Sequence, residues 1–341
     1  MSLDLPLVMA GVLALAVLLY VVLDGFDLGI GILFPFARGP AERDAMMNAV
    51  APVWDGNETW LVLGGAGLMA GFPLAYAILL PALYGPVILM LLALILRGVA
   101  FEFRLRGRRW GKRLWTAAFS VGSILAALAQ GLVLGGFIQG VRVRGGAFAG
   151  GPFDWLTPYT VLVACGLVAG YALLGAGWLV LKTEDALHGD ARRWARSAAI
   201  ATALFLAGVS VATLFVHGQV AARWGVEGTR IDWGRLAVRA PIPLLGLAGL
   251  AVVAVGLKGG GHALPFAGAV LVFLSGYLGL AAGFAPYVVP YALDFREAAA
   301  ADNALALLLS GLAVLLPLIL GYTVWAYWIF RGKVGADAGY H

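Results

Sequence analysis

The chain has 341 residues, 62% of them hydrophobic and only 12% charged, with a mean hydropathy of +0.92. That balance excludes a soluble globular domain, because apolar runs long enough to cross ~30 Å of hydrocarbon recur from end to end. The formal net charge of +5 would suggest nucleic acid in a soluble protein; here the basic residues sit between apolar runs, so they read as membrane orientation, with no nucleic-acid partner.

Nine spans follow in chain order, at about 8–34, 54–72, 75–103, 114–139, 156–181, 197–216, 240–257, 264–284 and 304–330. Together they predict an all-α polytopic membrane protein built as a single transmembrane domain, 1–341, embedded in lipid. The first residues, MSLDLPLVMA, carry no basic stretch ahead of the apolar run, which argues against a cleaved signal peptide. The first span holds LLYVVLDGFDLGIGILF, with Asp24 and Asp27 three residues apart in lipid-length sequence. The second opens on WDGNETW, bringing Asp55, Asn57 and Glu58, and then turns glycine-rich. The third closes on ILRGVAFEFR, with Arg97 and Glu102. Small-xxx-small spacings such as Gly25/Gly29 and Gly131/Gly135 predict close helix approach. The single cysteine, Cys165, lies in the fifth span and reads as a small buried hydrophobe. Between the seventh and eighth spans, GLKGGGHALP lacks the ending of a phosphate loop and reads as a flexible turn. Trp325, Tyr327 and Trp328 precede the last basic pair, where an interfacial aromatic belt belongs.

Basic residues give the orientation. With the N-terminus outside, the inward connections hold fifteen: Arg38, Arg43, Arg104, Arg106, Arg108, Arg109, Lys112, Arg113, Lys182, Arg192, Arg193, Arg196, Lys258, Arg331 and Lys333. The outward ones hold seven: Arg142, Arg144, Arg223, Arg230, Arg235, Arg239 and Arg296. The bias predicts an outside N-terminus and a cytoplasmic C-terminus.

This orientation places Asp24, Asp27, Asp55, Glu58, Arg97 and Glu102 in the cytoplasmic half of three consecutive spans. At ~1.5 Å per residue, Asp27 lies roughly 10 Å inside the helix end near Pro35. The arrangement is a funnel entering from the cytoplasm and stopping partway. An ionisable group in a bilayer costs about 2.5–3.5 kcal/mol on insertion scales, so such residues face a protein interior and mark function. For Asp55 and Glu58, capping of the second span stands as a second reading; for Arg97, so does a structural buried pair. Asp24 and Asp27 share a helix face and suit proton relay. The four histidines, His188, His217, His262 and His341, fall in connections or at the C-terminus and read as surface residues, leaving no pair to ligate a haem within the spans and no metal cluster.

LDGFDLGIGIL, NAVAPVWDGNETWLVLGGAGLMAGFP and RGVAFEFR, together with APYVVP at 285–290 and YTVWAYWIFRGKV at 322–334, resemble subunit II of the bacterial cytochrome bd-type quinol oxidases, including the cyanide-insensitive branch. The resemblance implies nine helices arranged as two four-helix bundles plus one peripheral helix, in the cytoplasmic (inner) membrane. It implies a structurally similar subunit I that carries the b- and d-type haems and the quinol site, with no haem or metal in this chain. The complex would oxidise ubiquinol or menaquinol and reduce dioxygen to water, taking protons from the cytoplasm. Asp55 and Glu102 would line the proton path, with Asp24 and Asp27 near it or at the subunit boundary. A structural quinone and a small single-helix accessory subunit occur in some members. Two positions depart from the pattern: Glu58, where some relatives have an amide, and Glu102, where some have Asp. The alternative is a proton-coupled secondary transporter with Asp24 and Asp27 as its carrier pair, although the second half offers no matching acid pair.

Overall fold

A computed structural model describes residues 3–106, 109–227 and 230–334; Arg108 and His341 lie outside them. The chain is all-α: α1 (Leu5–Leu33), α2 (Pro40–Asn48), α3 (Trp54–Gly71), α4 (Pro73–Ala82), α5 (Tyr84–Arg106), α6 (Arg109–Gln139), α7 (Pro158–Lys182), α8 (Asp185–Val216), α9 (Gly218–Arg223), α10 (Trp233–Arg239), α11 (Pro241–Val255), α12 (Leu264–Phe284) and α13 (Asp302–Ile329). Three short antiparallel strand pairs, β1 (Val143–Arg144) with β2 (Ala147–Phe148), β3 (Val226–Glu227) with β4 (Arg230–Ile231) and β5 (Tyr287–Val289) with β6 (Leu293–Asp294), decorate one end. Among the described residues eight helices are long and apolar enough to cross a membrane, or nine when the bent pair α3–α4 counts as one.

Helix starts follow local chemistry. Asp4 caps α1 by accepting from the Leu7 amide at 3.2 Å, and Thr157 forms a reciprocal capping box with Thr160 ahead of Pro158 in α7. The third expected span, 75–103, is corrected: the chain breaks inside it. Pro73 follows Phe72, whose φ of −135° and ψ of 63° are non-helical, and α4 bends by 120° from α3. A second break falls at Leu83, because Pro86 has no amide hydrogen to bond Ala82. The crossing helix is therefore α5, which starts at Tyr84. The sixth span also starts earlier than expected: α8 begins at Asp185, so His188 is helical.

Helices α5 and α6, α7 and α8, and α11 and α12 pack as neighbouring hairpins, while α1 runs centrally beside α3, α6 and α7. Glycine sets the crossing of α1 on α7: a Cβ on Gly29 would stand 1.8 Å from the Tyr171 carbonyl oxygen, and one on Gly175 would stand 2.5 Å from the Gly29 carbonyl carbon. Gly131 and Gly135 bring α6 equally close to Ala164 and Thr160 of α7. Residues 24–33 of α1 are consequently all buried. Met46 and Met47 are buried in α2. Cys165 is half-buried. At the GLKGGGHALP connection, Gly259 and Gly261 adopt left-handed φ of 115° and 120°, so it is the turn the composition suggested.

α13 lies outside the rest, against α1 and α3, and its ends are tied down. Ala300 N–H donates to the Gly71 carbonyl at 2.9 Å. At the other end Lys182 donates to the carbonyls of Phe330 and Gly332, and Val334 N–H returns to the Lys182 carbonyl at 2.8 Å.

Candidate functional site

Asp24 and Asp27 leave one face of α1 one turn apart and reach different helices. Asp24 pairs with Arg97 of α5 at 2.7 Å, with the two side chains 0% and 2% exposed. Asp27 turns to α3, where Asn57 Nδ2 donates to its Oδ2 at 2.8 Å and to the Leu23 carbonyl at 3.3 Å. Tyr327 of α13 donates to Asn57 Oδ1 at 2.8 Å. Oδ2 of Asp24 and Oδ1 of Asp27 are buried with no partner among the described residues. Half-buried Glu58 lies within electrostatic reach of Arg97, Asp24 and Asp55. Three carboxyl groups thus share one buried guanidinium. Such a cluster can take up or release a proton and still keep its ion pair.

Of the six residues singled out from the sequence, the fold gathers Asp24, Asp27, Arg97 and Glu58. Asp55 and Glu102 stay on the outside, with exposed side chains near the same ends of α3 and α5. Each terminates an exposed helical stripe: Asp55, Thr59, Val62, Ala66 and Met69 on α3, and Ile88, Ile95, Val99 and Glu102 on α5.

Sequence reasoning missed several members. Tyr327 is no part of an interfacial belt: its ring meets Phe26 and Trp178 edge-on while Trp325 and Trp328 face outward. Gln130 of α6 donates to the Tyr20 hydroxyl at 2.6 Å and accepts from Tyr171 of α7 at 2.7 Å, which extends the polar column one turn beyond Asp24. The i, i+4 spacing of Tyr20 and Asp24 was its available signal. Toward the basic end, buried Arg104 meets Asp44 at 2.7 Å, Thr116 at 3.0 Å and the Phe34 ring, and Lys112 shares Asp44 at 3.7 Å. Buried Asp190 of α8 is bracketed by Arg193 and by Arg38 at 2.6 Å. His188 is half-buried beside His262, with ring centroids 4.8 Å apart, so it is no simple surface residue.

These features define a multi-pass α-helical membrane protein with an ionisable cluster enclosed by its first three crossing helices. Residues 5–330 match the family described as cytochrome bd terminal oxidase subunit II. The chain belongs to that family and is a subunit of a bd-type terminal oxidase. It is 29% identical to cytochrome bd-I ubiquinol oxidase subunit 2 of Escherichia coli, over 92% of this chain and 91% of that one. It is 27% identical to cytochrome bd ubiquinol oxidase subunit 2 of Bacillus subtilis, over 92% and 91%. Its fold is similar to a chain of the bd oxidase from Geobacillus thermodenitrificans, with a TM-score of 0.73 at 18% identity, covering 97% of this chain and 100% of the other. The transporter alternative finds no support in these relatives. Family membership implies a complex with subunit I and haems within that complex.

Proposed function

We propose that this chain is the haem-free subunit of a quinol:oxygen oxidoreductase and delivers cytoplasmic protons toward the oxygen-reducing centre of its partner. Subunit I would oxidise ubiquinol or menaquinol and reduce dioxygen to water on b- and d-type haems. This chain supports its assembly and is not catalytic alone. The described histidines argue for that division: His188, His217 and His262 lie at helix ends, and none faces another across the membrane interior.

The observation that carries the proton role is the buried Asp24–Arg97 pair with Asp27 beside it. Protons enter at Asp55 and Glu102, pass Glu58 and reach Asp24 and Asp27, with Arg97 holding the charge balance. Exposed carboxylates that end the α3 and α5 stripes suit a face covered by protein better than one in lipid, so we read this face as the one toward subunit I. The basic bias puts the cluster at the cytoplasmic end, with the N-terminus outside and the C-terminus inside the cytoplasmic (inner) membrane. The helix neighbours suit one domain of two four-helix groups, α1/α3/α5/α6 and α7/α8/α11/α12, with α13 peripheral. A structural quinone would fit the cavity of about 840 Å³ at the opposite end, lined by Phe148, Trp155, Tyr291 and Gln139. A small single-helix accessory subunit, as in some family members, and lipid would complete the surroundings.

The test begins with the complex purified through a tag on this chain. A second membrane subunit, b- and d-type haem bands and quinol-dependent oxygen uptake are expected; a colourless lone chain would overturn the assignment. In the assembled complex, Asp55→Asn should lower turnover and proton uptake, and unchanged values would remove the relay role.

A further inference from the structure

The buried acid pair is reached from a second direction. Asn57 Nδ2 faces the Leu23 carbonyl and the Asp27 carboxylate, and the carbonyl can only accept. The amide orientation is therefore fixed, its oxygen points at Tyr327, and the Tyr327 hydroxyl must be the donor. The chain Tyr327 to Asn57 to Asp27 runs one way and ends on the carboxyl group whose other oxygen has no partner. The amide cannot itself pass a proton along this chain, but it sets the rotamer of Asp27.

Tyr327 is held in turn. Its ring packs edge-on against Phe26 and Trp178. Two residues further, α13 ends, and the segment beyond it is strapped to α7 through Lys182 and to Glu184 through Lys333 at 3.1 Å. Tyr327 also lines a half-open cavity of about 320 Å³, together with Asn48, Val53, Trp178 and Lys182. Neither Asp55 nor Glu102 lines this cavity.

We propose that Tyr327 is a positioning residue for Asp27: the last helix, through one phenol and one amide, holds the carboxyl group in the orientation that proton transfer to and from Asp24 requires. This rests on the proton-path reading of the acid cluster. It makes α13 a functional part of the route even though almost none of its surface is buried.

The experiment compares Tyr327→Phe, Asn57→Ala and Asp27→Asn in the purified, haem-loaded complex. Tyr327→Phe keeps the ring contacts and loses only the hydroxyl. Turnover per haem should fall about fivefold, the factor associated with one neutral hydrogen bond, with the KM for quinol unchanged. The pH profile of turnover should be displaced, and the infrared carboxyl band abolished by Asp27→Asn should shift. In an Asn57→Ala background the Tyr327→Phe change should add nothing further. If Tyr327→Phe prevents assembly, Asn57→Ala alone must show the same turnover loss and band shift. An unchanged turnover and band in Tyr327→Phe, or losses that add in the double variant, would overturn the proposal. If Asp27→Asn also turns over normally, the proton-path reading itself fails. If Asp27→Asn is slow and Tyr327→Phe is not, only the positioning role fails.

Discussion

At the residue scale, the Asp24–Arg97 pair shows why burial makes a charge demanding. Both side chains are out of contact with solvent, so deleting one leaves the other uncompensated at a cost of ~3–5 kcal/mol. Arg97→Ala should therefore lower the melting temperature of the detergent-solubilised complex sharply. The double change Asp24→Leu with Arg97→Met, which leaves no bare charge, should restore much of that stability while oxygen uptake stays low. A stable Arg97→Ala variant would mean that the pair is not held dry. Asp4 and Asp154, outside the spans, behave differently. Hydrogen bonds from Arg296 and Arg142 hold both carboxyls below their ordinary value of 3.8. A depressed folded pKa contributes stability that is present above the unfolded value and lost as pH falls through the folded one. Acid unfolding below about pH 3.8 should thus include a component that disappears in the Asp4→Asn, Asp154→Asn double variant, as pH-dependent melting would show.

At the element scale, the crossing of α1 on α7 decides whether the acid cluster is enclosed. Gly29→Ala would drive a methyl into the Tyr171 backbone oxygen, and backbone cannot swing aside. The expected loss is at the upper end of the ~1–3 kcal/mol typical of overpacking, read as reduced yield and melting temperature of the complex. Gly11→Ala on the same helix meets nothing within 4 Å and should be silent. The break between α3 and α4 is the other decisive element. Pro73 starts α4 where the chain bends by 120° after α3, so α4 does not run on along the axis of α3.

At the scale of the whole molecule, one end concentrates the cluster, the buried Arg104 and Asp190 ion pairs, and the strapped C-terminal segment, while the hairpins occupy the other. If the basic end is cytoplasmic, a reporter active only outside the cytoplasm should be silent when fused after residue 334 and active when fused ahead of α1. The exposed Asp55 and Glu102 belong to this scale as well, because on the proposed reading subunit I completes their environment. Glu102→Gln should leave the stability of the complex within ~0.5 kcal/mol, as surface changes do, while lowering proton uptake per oxygen reduced. Equal losses of stability and turnover would point to a purely structural face.

Composition and hydropathy alone determined the membrane class, the approximate span positions and the concentration of ionisable residues in the first three spans, because hydrocarbon thickness and the expense of a buried charge act directly on sequence. The motifs LDGFDLG, WDGN and FEFR carried the family. Which acids are buried was beyond the sequence: Asp55 and Glu58 share one polar stretch and both admitted a capping reading, yet Asp55 is exposed while Glu58 is half-buried beside the Asp24–Arg97 pair. Tyr327, some 270 residues from Asn57, had the spacing of an interfacial aromatic and no local mark of a partner. Hydropathy reads one helix at a time against lipid. Only the tertiary structure, where glycine lets helices close on one another, decides which side chain each polar group meets.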